Sequence, residues 1–336
     1  MNGLPRRRPL LAATAAAGVV MVLAGVVVLS PGRDERPPAR APWSSAPSLV
    51  VRPAGAAVQT STPVAQPTTR PTPPATRLPA LLGAIGDSLT EAFDTGNAFG
   101  PAPQHSWVVG TDPADGVESH LERLRALGAD PAVVDAARPG MPMAAAPDQA
   151  RLIVARAATL PAGETAYVTF ELGANDLCRP TLTDATSVPD YTIAATEAFA
   201  ILGRRLPAHS VVLVLSVPDV PRLREVFADE PAVLDAYRQY AACPPALGDA
   251  TDVAAARDRI AAYNGVLGEL CAGLRAARLD CRFDLAIDPA RSLFGAPFGP
   301  GAISRIDHFH PSVLGQARIA EVSWSLTPWG SVAPSP

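Results

Sequence analysis

The chain has 336 residues, a formal net charge of −4 and 28 basic residues, every one of them arginine. Mild acidity argues against the basic stripe of a nucleic-acid binder, so no nucleic-acid partner is expected. The lack of lysine excludes a Ser-Lys dyad, a Schiff-base lysine and a P-loop, each of which needs an ammonium that arginine cannot replace.

At the N-terminus Arg6, Arg7 and Arg8 precede a charge-free apolar run from Leu10 to Leu29. About 20 apolar residues span a bilayer, and Ser30-Pro31-Gly32-Arg33-Asp34 is a poor cleavage site. Residues 1–30 therefore predict an uncleaved signal anchor, with a cleaved signal peptide as the alternative and a twin-arginine signal at Arg6-Arg7 as a weaker reading. The positive-inside rule leaves the arginines in the cytoplasm and everything after Ser30 outside. The chain is thus expected on the outer face of the cell membrane as a single-pass protein, or secreted if the signal is removed. Residues 31–79, rich in Pro, Ala, Ser and Thr, predict a disordered linker. Residues 80–328 predict one folded domain, and 329–336 a tail.

Within the domain, strand-like apolar runs fall at 81–85, 132–136, 166–172, 211–217 and 282–286. Val117, Leu121 and Leu124 share one helical face, and Ile260, Tyr263, Leu267, Leu270 and Leu274 mark a longer helix. Near-continuous apolar strands alternating with helices predict a three-layer α/β/α sandwich around a five-stranded parallel sheet. The four cysteines, Cys178, Cys243, Cys271 and Cys281, are an even set in a segment predicted to be extracellular and lack zinc-site spacing. Three pairings are possible. Cys271 with Cys281 and Cys178 with Cys243 is the expected one.

The first strand stops at Gly86, and Asp87-Ser88-Leu89-Thr90 follows as a strand-to-helix turn. Such a turn either caps a helix or presents Ser88 at the ligand-binding end of a sheet. Downstream, Glu171-Leu172-Gly173-Ala174-Asn175-Asp176 closes the third apolar run, and Asp307-His308-Phe309-His310-Pro311 lies near the C-terminus. A hydroxyl, a Gly-x-Asn and an Asp-x-x-His are the parts of an acyl-transfer site, because a serine needs a base and the base needs an orienting acceptor. Of the five histidines, His105 lies in a Pro-rich loop, His120 among charged helix residues and His209 just before a strand, so these three read as surface or structural. In Asp-x-x-His the short loop lets Asp307 reach Nδ1 of His310 while Nε2 faces Ser88. His308 reads as a neighbour without a direct role, and no metal site is expected.

These three blocks, in this order, resemble the GDSL esterase/lipase family, the SGNH hydrolases, over roughly residues 80 to 328. The resemblance implies a flavodoxin-like α/β/α fold, ester hydrolysis without cofactor, and the catalytic set Ser88, His310 and Asp307. It also implies an oxyanion hole made by the backbone N–H groups of Ser88 and Gly140 and the side-chain amide of Asn175. The family usually opens the block ending at Gly140 with Asn, and Asp135 stands there instead. Ser106-Trp107, Ser119-His120, Asn175-Asp176-Leu177-Cys178 and Asp307 to Pro311 look like the phospholipase B-like branch. That likeness implies lipid esters, with Phe93, Phe99, Trp107, Phe294 and Phe298 as candidate pocket walls or core aromatics. The alternatives are an O-acetyl esterase of cell-surface polysaccharide and, from another class, a catalytically silent binding domain on the same fold. Oligomeric state is not legible.

Overall fold

The computed structural model describes residues 77–330 apart from 249, 294, 296 and 297. The expectations for the membrane segment, for nearly all of the linker and for Phe294 lie outside the described residues. Among the described residues no helix is long and apolar enough to cross a membrane.

Five strands form one parallel sheet in the order β2-β1-β3-β4-β5: β1 Leu81–Ile85, β2 Ala132–Asp135, β3 Ala166–Phe170, β4 Val211–Val214 and β5 Asp280–Phe283. The register pairs Leu81 with both Ala132 and Ala166, and Tyr167 with Val211. Alternate residues of β1 serve opposite faces. Leu81 and Ile85 join a core with Ile153 of α2 (Ala146–Ala157), Leu202 of α4 (Val188–Arg205) and Leu267 of α5 (Ala250–Ala276). Leu82 and Ala84 join a second core with Leu121 and Leu124 of α1 (His120–Ala126) and Ile319 and Trp324 of α6 (Val313–Ser325). The inner strands β1, β3 and β4 are buried at every position and so read as near-continuous apolar runs, whereas the edge strands β2 and β5 are only partly buried and carry Asp135, Asp280 and Arg282. The short helix α3 (Ala174–Leu177) follows β3.

Several boundaries differ from expectation. The third, fourth and second strands end earlier, at Phe170, Val214 and Asp135, and β5 starts two residues and ends three residues earlier. At β5 the cause is Asp284, a buried carboxylate that accepts the N–H groups of Ser216, Leu285 and Leu293 and turns the chain out of the sheet. Val117 precedes α1, whose start is set by a Ser119–Glu122 capping box, yet it is buried with Leu121 and Leu124. The disulfides are Cys178–Cys243 and Cys271–Cys281, as the pairing predicted. The packed body runs on to Trp329, which is buried against Tyr167 and Trp324.

Candidate active site

Because β1 neighbours both β2 and β3, helices leave it toward opposite faces and a crevice opens at the carboxyl ends of β1 and β3. Ser88 lies just beyond β1 and Asn175 just beyond β3. The turn at Ser88 is tight: a Cβ on Gly86 would sit 2.1 Å from Thr90 Oγ1, so only glycine fits. Two buried glutamines hold it. Gln149 accepts the Gly86 N–H at 2.9 Å and donates to its carbonyl at 3.0 Å. Gln316 donates to the Leu89 carbonyl and accepts the Trp107 N–H, each at 3.0 Å.

His310 arrives on the loop that Ile303 and Pro311 close with an antiparallel bridge. Its Nε2 is 2.9 Å from Ser88 Oγ and its Nδ1 is 2.5 Å from Asp307 Oδ2. Asp307 Oδ1 accepts the N–H groups of Phe309 and His310 at 2.9 and 3.1 Å. Burial pushes the Asp307 carboxyl up, but its hydrogen bond to His310, that ring's charge and the two N–H groups outweigh it and leave the pKa lowered. A carboxylate on Nδ1 places the ring's proton there and leaves Nε2 as the acceptor of the Ser88 hydroxyl proton. The rings of Phe93 and Phe309 lie 5.1 and 5.2 Å from the imidazole.

On the other side of Ser88, Asn175 Nδ2 donates to Asp87 Oδ2 at 2.8 Å, which fixes its amide orientation. Asp87 also accepts the Leu89 N–H at 3.0 Å and packs against Glu171, both acids being buried. Burial raises both carboxyl pKa values, and the Asp87 charge adds to the rise at Glu171, which lies well above its ordinary value. Asp87 accepts from the Leu89 N–H and the Asn175 amide, whereas Glu171 accepts from Thr90 Oγ1 at 3.2 Å and the Asp87 N–H against the Asp87 charge, so of the two it is Glu171 that is pushed further toward the neutral form. Asp176 accepts the Met143 N–H at 2.7 Å and so ties the loop carrying Gly140 to α3. The Ser88 and Gly140 N–H groups have no acceptor among the described residues. Gly140 has φ +78°, and a Cβ there would meet no protein atom within 4 Å. Left-handed backbone rather than crowding by neighbouring protein accounts for glycine at this position. Asp135 accepts the Ala137 N–H at 3.1 Å and shapes the turn between β2 and Gly140.

The other candidates fall elsewhere. His120 is fully buried in the core, the structural of the two positions its sequence left open. His105 pairs with Asp115 at 2.7 Å, His209 occupies a left-handed turn, and the His308 ring sits edge-on to Phe227. Trp107 is fully buried, Phe99 is 79 % exposed and packs edge-on against Phe93, and Phe298 lines a cavity. That cavity, of about 80 Å³, is apolar and lies between Leu89, Ala174, Phe309 and Pro311, the chain neighbours of Ser88, Asn175 and His310, with Val226 and Phe298 among its other walls. Two trios of metal-capable side chains occur among the described residues, Asp94/Asp307/His310 and His105/Asp112/Asp115. Most of these side chains already have partners: Asp307 pairs with His310, Asp115 with His105 and the Val117 N–H, and Asp112 with the Ala114 N–H, whereas Asp94 Oδ2 has no hydrogen-bond partner among the described residues. Sequence reasoning missed Gln149, Gln316, Glu171 and Asp94. Of these only Glu171 carried a signal, as an acid closing an otherwise apolar strand run.

The model of the GDSL-like Lipase/Acylhydrolase family matches residues 84–318. The chain belongs to that family, and with it to the carboxylic ester hydrolases. Among curated proteins nothing matches it. It is similar to a solved structure described as a GDSL-like lipase from Parabacteroides merdae, at 16% identity over 76% of this chain and 99% of that one, with a TM-score of 0.44. A structure described as a platelet activating factor from Streptococcus pneumonia gives 15% identity over 74% and 83%, with a TM-score of 0.41. A mutant of esterase AlinE4 gives 17% identity over 63% and 81%, with a TM-score of 0.33. Likeness at this level carries no argument about activity, and the assignment rests on the family match.

Proposed function

We propose that the protein is an exported serine esterase that hydrolyses carboxylic esters with an apolar acyl chain, lipid esters among them. The observation that carries this reading is the continuous relay from Ser88 Oγ through His310 to Asp307 at the carboxyl end of β1. In the first half-reaction Ser88 Oγ attacks the ester carbon and its proton passes to His310 Nε2. Asp307 keeps the proton on Nδ1 and stabilises the imidazolium that forms. The carbonyl oxygen becomes an oxyanion, for which the N–H groups of Ser88 and Gly140 and the amide of Asn175 are the donors. When the tetrahedral species collapses, the alcohol leaves with the proton from His310, and an acyl ester on Ser88 remains. Water repeats the sequence, giving its proton to His310 and releasing the acid and free Ser88.

The apolar cavity supports an acyl chain rather than acetate as the group transferred. The cavity is lined by apolar side chains and adjoins the chain neighbours of Ser88, Asn175 and His310, so it offers room for acyl methylenes that acetate does not have. Each buried methylene contributes about 0.8 kcal/mol, a factor of about four in kcat/KM. Across soluble esters from acetate to decanoate, kcat/KM is expected to climb with each added carbon until the cavity is full and then flatten. A maximum at acetate would replace the lipid reading with the O-acetyl esterase one. Labelling by a fluorophosphonate is expected to depend on Ser88. The apolar run from Leu10 to Leu29 and the two disulfides support export and a membrane tether. Activity that fractionates with the medium, on a chain beginning after residue 30, would refute the tether.

A further inference from the structure

Asp94 follows the Ser88 turn with its backbone in the left-handed region, at φ 53°, and is 1% exposed. Its Oδ1 accepts the Gly100 N–H at 2.6 Å. Its Oδ2 is buried and has no hydrogen-bond partner among the described residues. The same segment is joined to the His310 loop twice: Ser304 Oγ donates to the Asp94 carbonyl at 2.5 Å, and Thr95 Oγ1 donates to the Pro311 carbonyl at 2.8 Å. A carboxyl oxygen of Asp94, one of Asp307 and a ring nitrogen of His310 all lie within 4.8 Å of one another.

An ionised Asp94 would leave a buried oxygen without a donor and set two carboxylates against each other, each of them costly. A proton on that oxygen removes both costs, because a carboxylate oxygen of Asp307, within 4.8 Å of the Asp94 carboxyl, is then the acceptor toward which the new O–H can turn. Asp307 is the wrong place for the proton. It already accepts from His310 Nδ1 and from two backbone N–H groups.

We propose that Asp94 is a positioning residue for ester hydrolysis, a neutral carboxylic acid whose O–H donates to Asp307 and holds that carboxylate in line with Nδ1 of His310. The inference rests on the reading of Ser88, His310 and Asp307 given above. Burial pushes the Asp94 carboxyl up, and the adjoining Asp307 adds to the rise, in agreement with the neutral form. The proton stays on Asp94 throughout turnover. Its role is to supply a fixed donor, so that Asp307 does not swing away when His310 becomes charged.

Two substitutions separate this role from a packing role. Asp94→Asn keeps an acceptor for the Gly100 N–H and a donor for Asp307, and kcat is expected to stay within about threefold of wild type. Asp94→Ala removes the donor to a charged group, and kcat is expected to fall roughly tenfold to a hundredfold with KM within about twofold. An Ala variant at wild-type kcat overturns the proposal, as does an equal loss in both variants. If Asp94→Ala does not fold, as judged by its melting curve, Asp94→Asn decides: near-wild-type kcat supports the donor role, and a loss above about tenfold ends it. Ser88→Ala is the control for the underlying reading. An active Ser88→Ala protein sinks the site itself, whereas an inactive one beside a flat Asp94 series sinks only the role of Asp94.

Discussion

Two serine–histidine pairs occur among the described residues, and in both the serine Oγ lies 2.9 Å from the imidazole Nε2. One is Ser88 with His310 at the crevice, the other Ser323 with His120 inside the core between α1 and α6. Their remaining partners are opposite in kind. His310 Nδ1 meets the Asp307 carboxylate, which accepts, so Nε2 is left free to take a proton from Ser88. His120 Nδ1 meets the Tyr167 hydroxyl at 2.7 Å, while Ser323 Oγ spends its own proton on the Ile319 carbonyl at 2.5 Å. Nε2 of His120 is therefore the donor, toward Ser323 Oγ and the Ala320 carbonyl. Burial lowers the His120 pKa to about 3, and rings of Trp107, Tyr167 and Trp324 surround it at 5.1, 5.8 and 5.3 Å. A serine–histidine hydrogen bond is thus not in itself a catalyst. An acid on the far nitrogen, which fixes the tautomer and balances the imidazolium, makes the difference, together with access for substrate.

The largest effect is expected from the serines. Ser88→Ala should lower kcat for a soluble ester by at least ~10³ and as far as ~10⁶, the range known for loss of a triad nucleophile. Ser323→Ala should leave kcat within about twofold and cost about 1 kcal/mol of stability from the lost hydrogen bonds. Equal losses of kcat in the two folded variants would erase the distinction between the pairs.

A second substitution makes one pair resemble the other. Asp307→Asn offers His310 Nδ1 a donor, so the ring takes the tautomer that His120 already has, and kcat should fall by roughly 10³ to 10⁴ with the fold intact. Turnover near wild type would mean that Asp307 does not set the tautomer.

The smallest effect is on stability and concerns pH. His120 titrates near 3 in the folded protein and near ~6.5 unfolded, so the unfolded chain binds more protons between those values. The stability contributed by neutral His120 is complete above pH ~6.5 and is lost as pH falls toward 3, by up to about 1.4 kcal/mol per pH unit. Asp284, which burial raises to about 6, acts with the opposite sign, since its folded form holds a proton that the unfolded form has released. That contribution is common to wild type and His120→Gln and cancels in their difference. Denaturant titrations of the two proteins between pH 7 and 4 should show the wild-type advantage shrinking on acidification. A constant difference would place His120 in a wetter site than the core described here.

What could be read from residues alone were the features encoded within a few positions of one another. The strand that breaks at Gly86, the Gly-x-Asn after the third strand and the Asp307-x-x-His310 spacing are local patterns, because strand burial, a tight turn and a three-residue reach act over short stretches of chain. The even cysteine count likewise allowed three pairings, of which the expected one is present. His120 shows where this reading stopped short. Charged neighbours on its helix left a surface and a structural position open, and only the approach of Tyr167 and Ser323, 47 and 203 residues away, put it in the core.

The chain by itself therefore determined the fold class, its family and the order of the blocks that form the crevice, since periodic burial and turn chemistry are written into adjacent residues. Tertiary structure alone decided which histidine faces a carboxylate and which faces a tyrosine, which acids are buried as neutral groups, and where an apolar cavity meets Leu89 and Phe309. Those outcomes depend on desolvation and on partners from distant segments. Neither exists until the sheet and its two helical layers have closed around them.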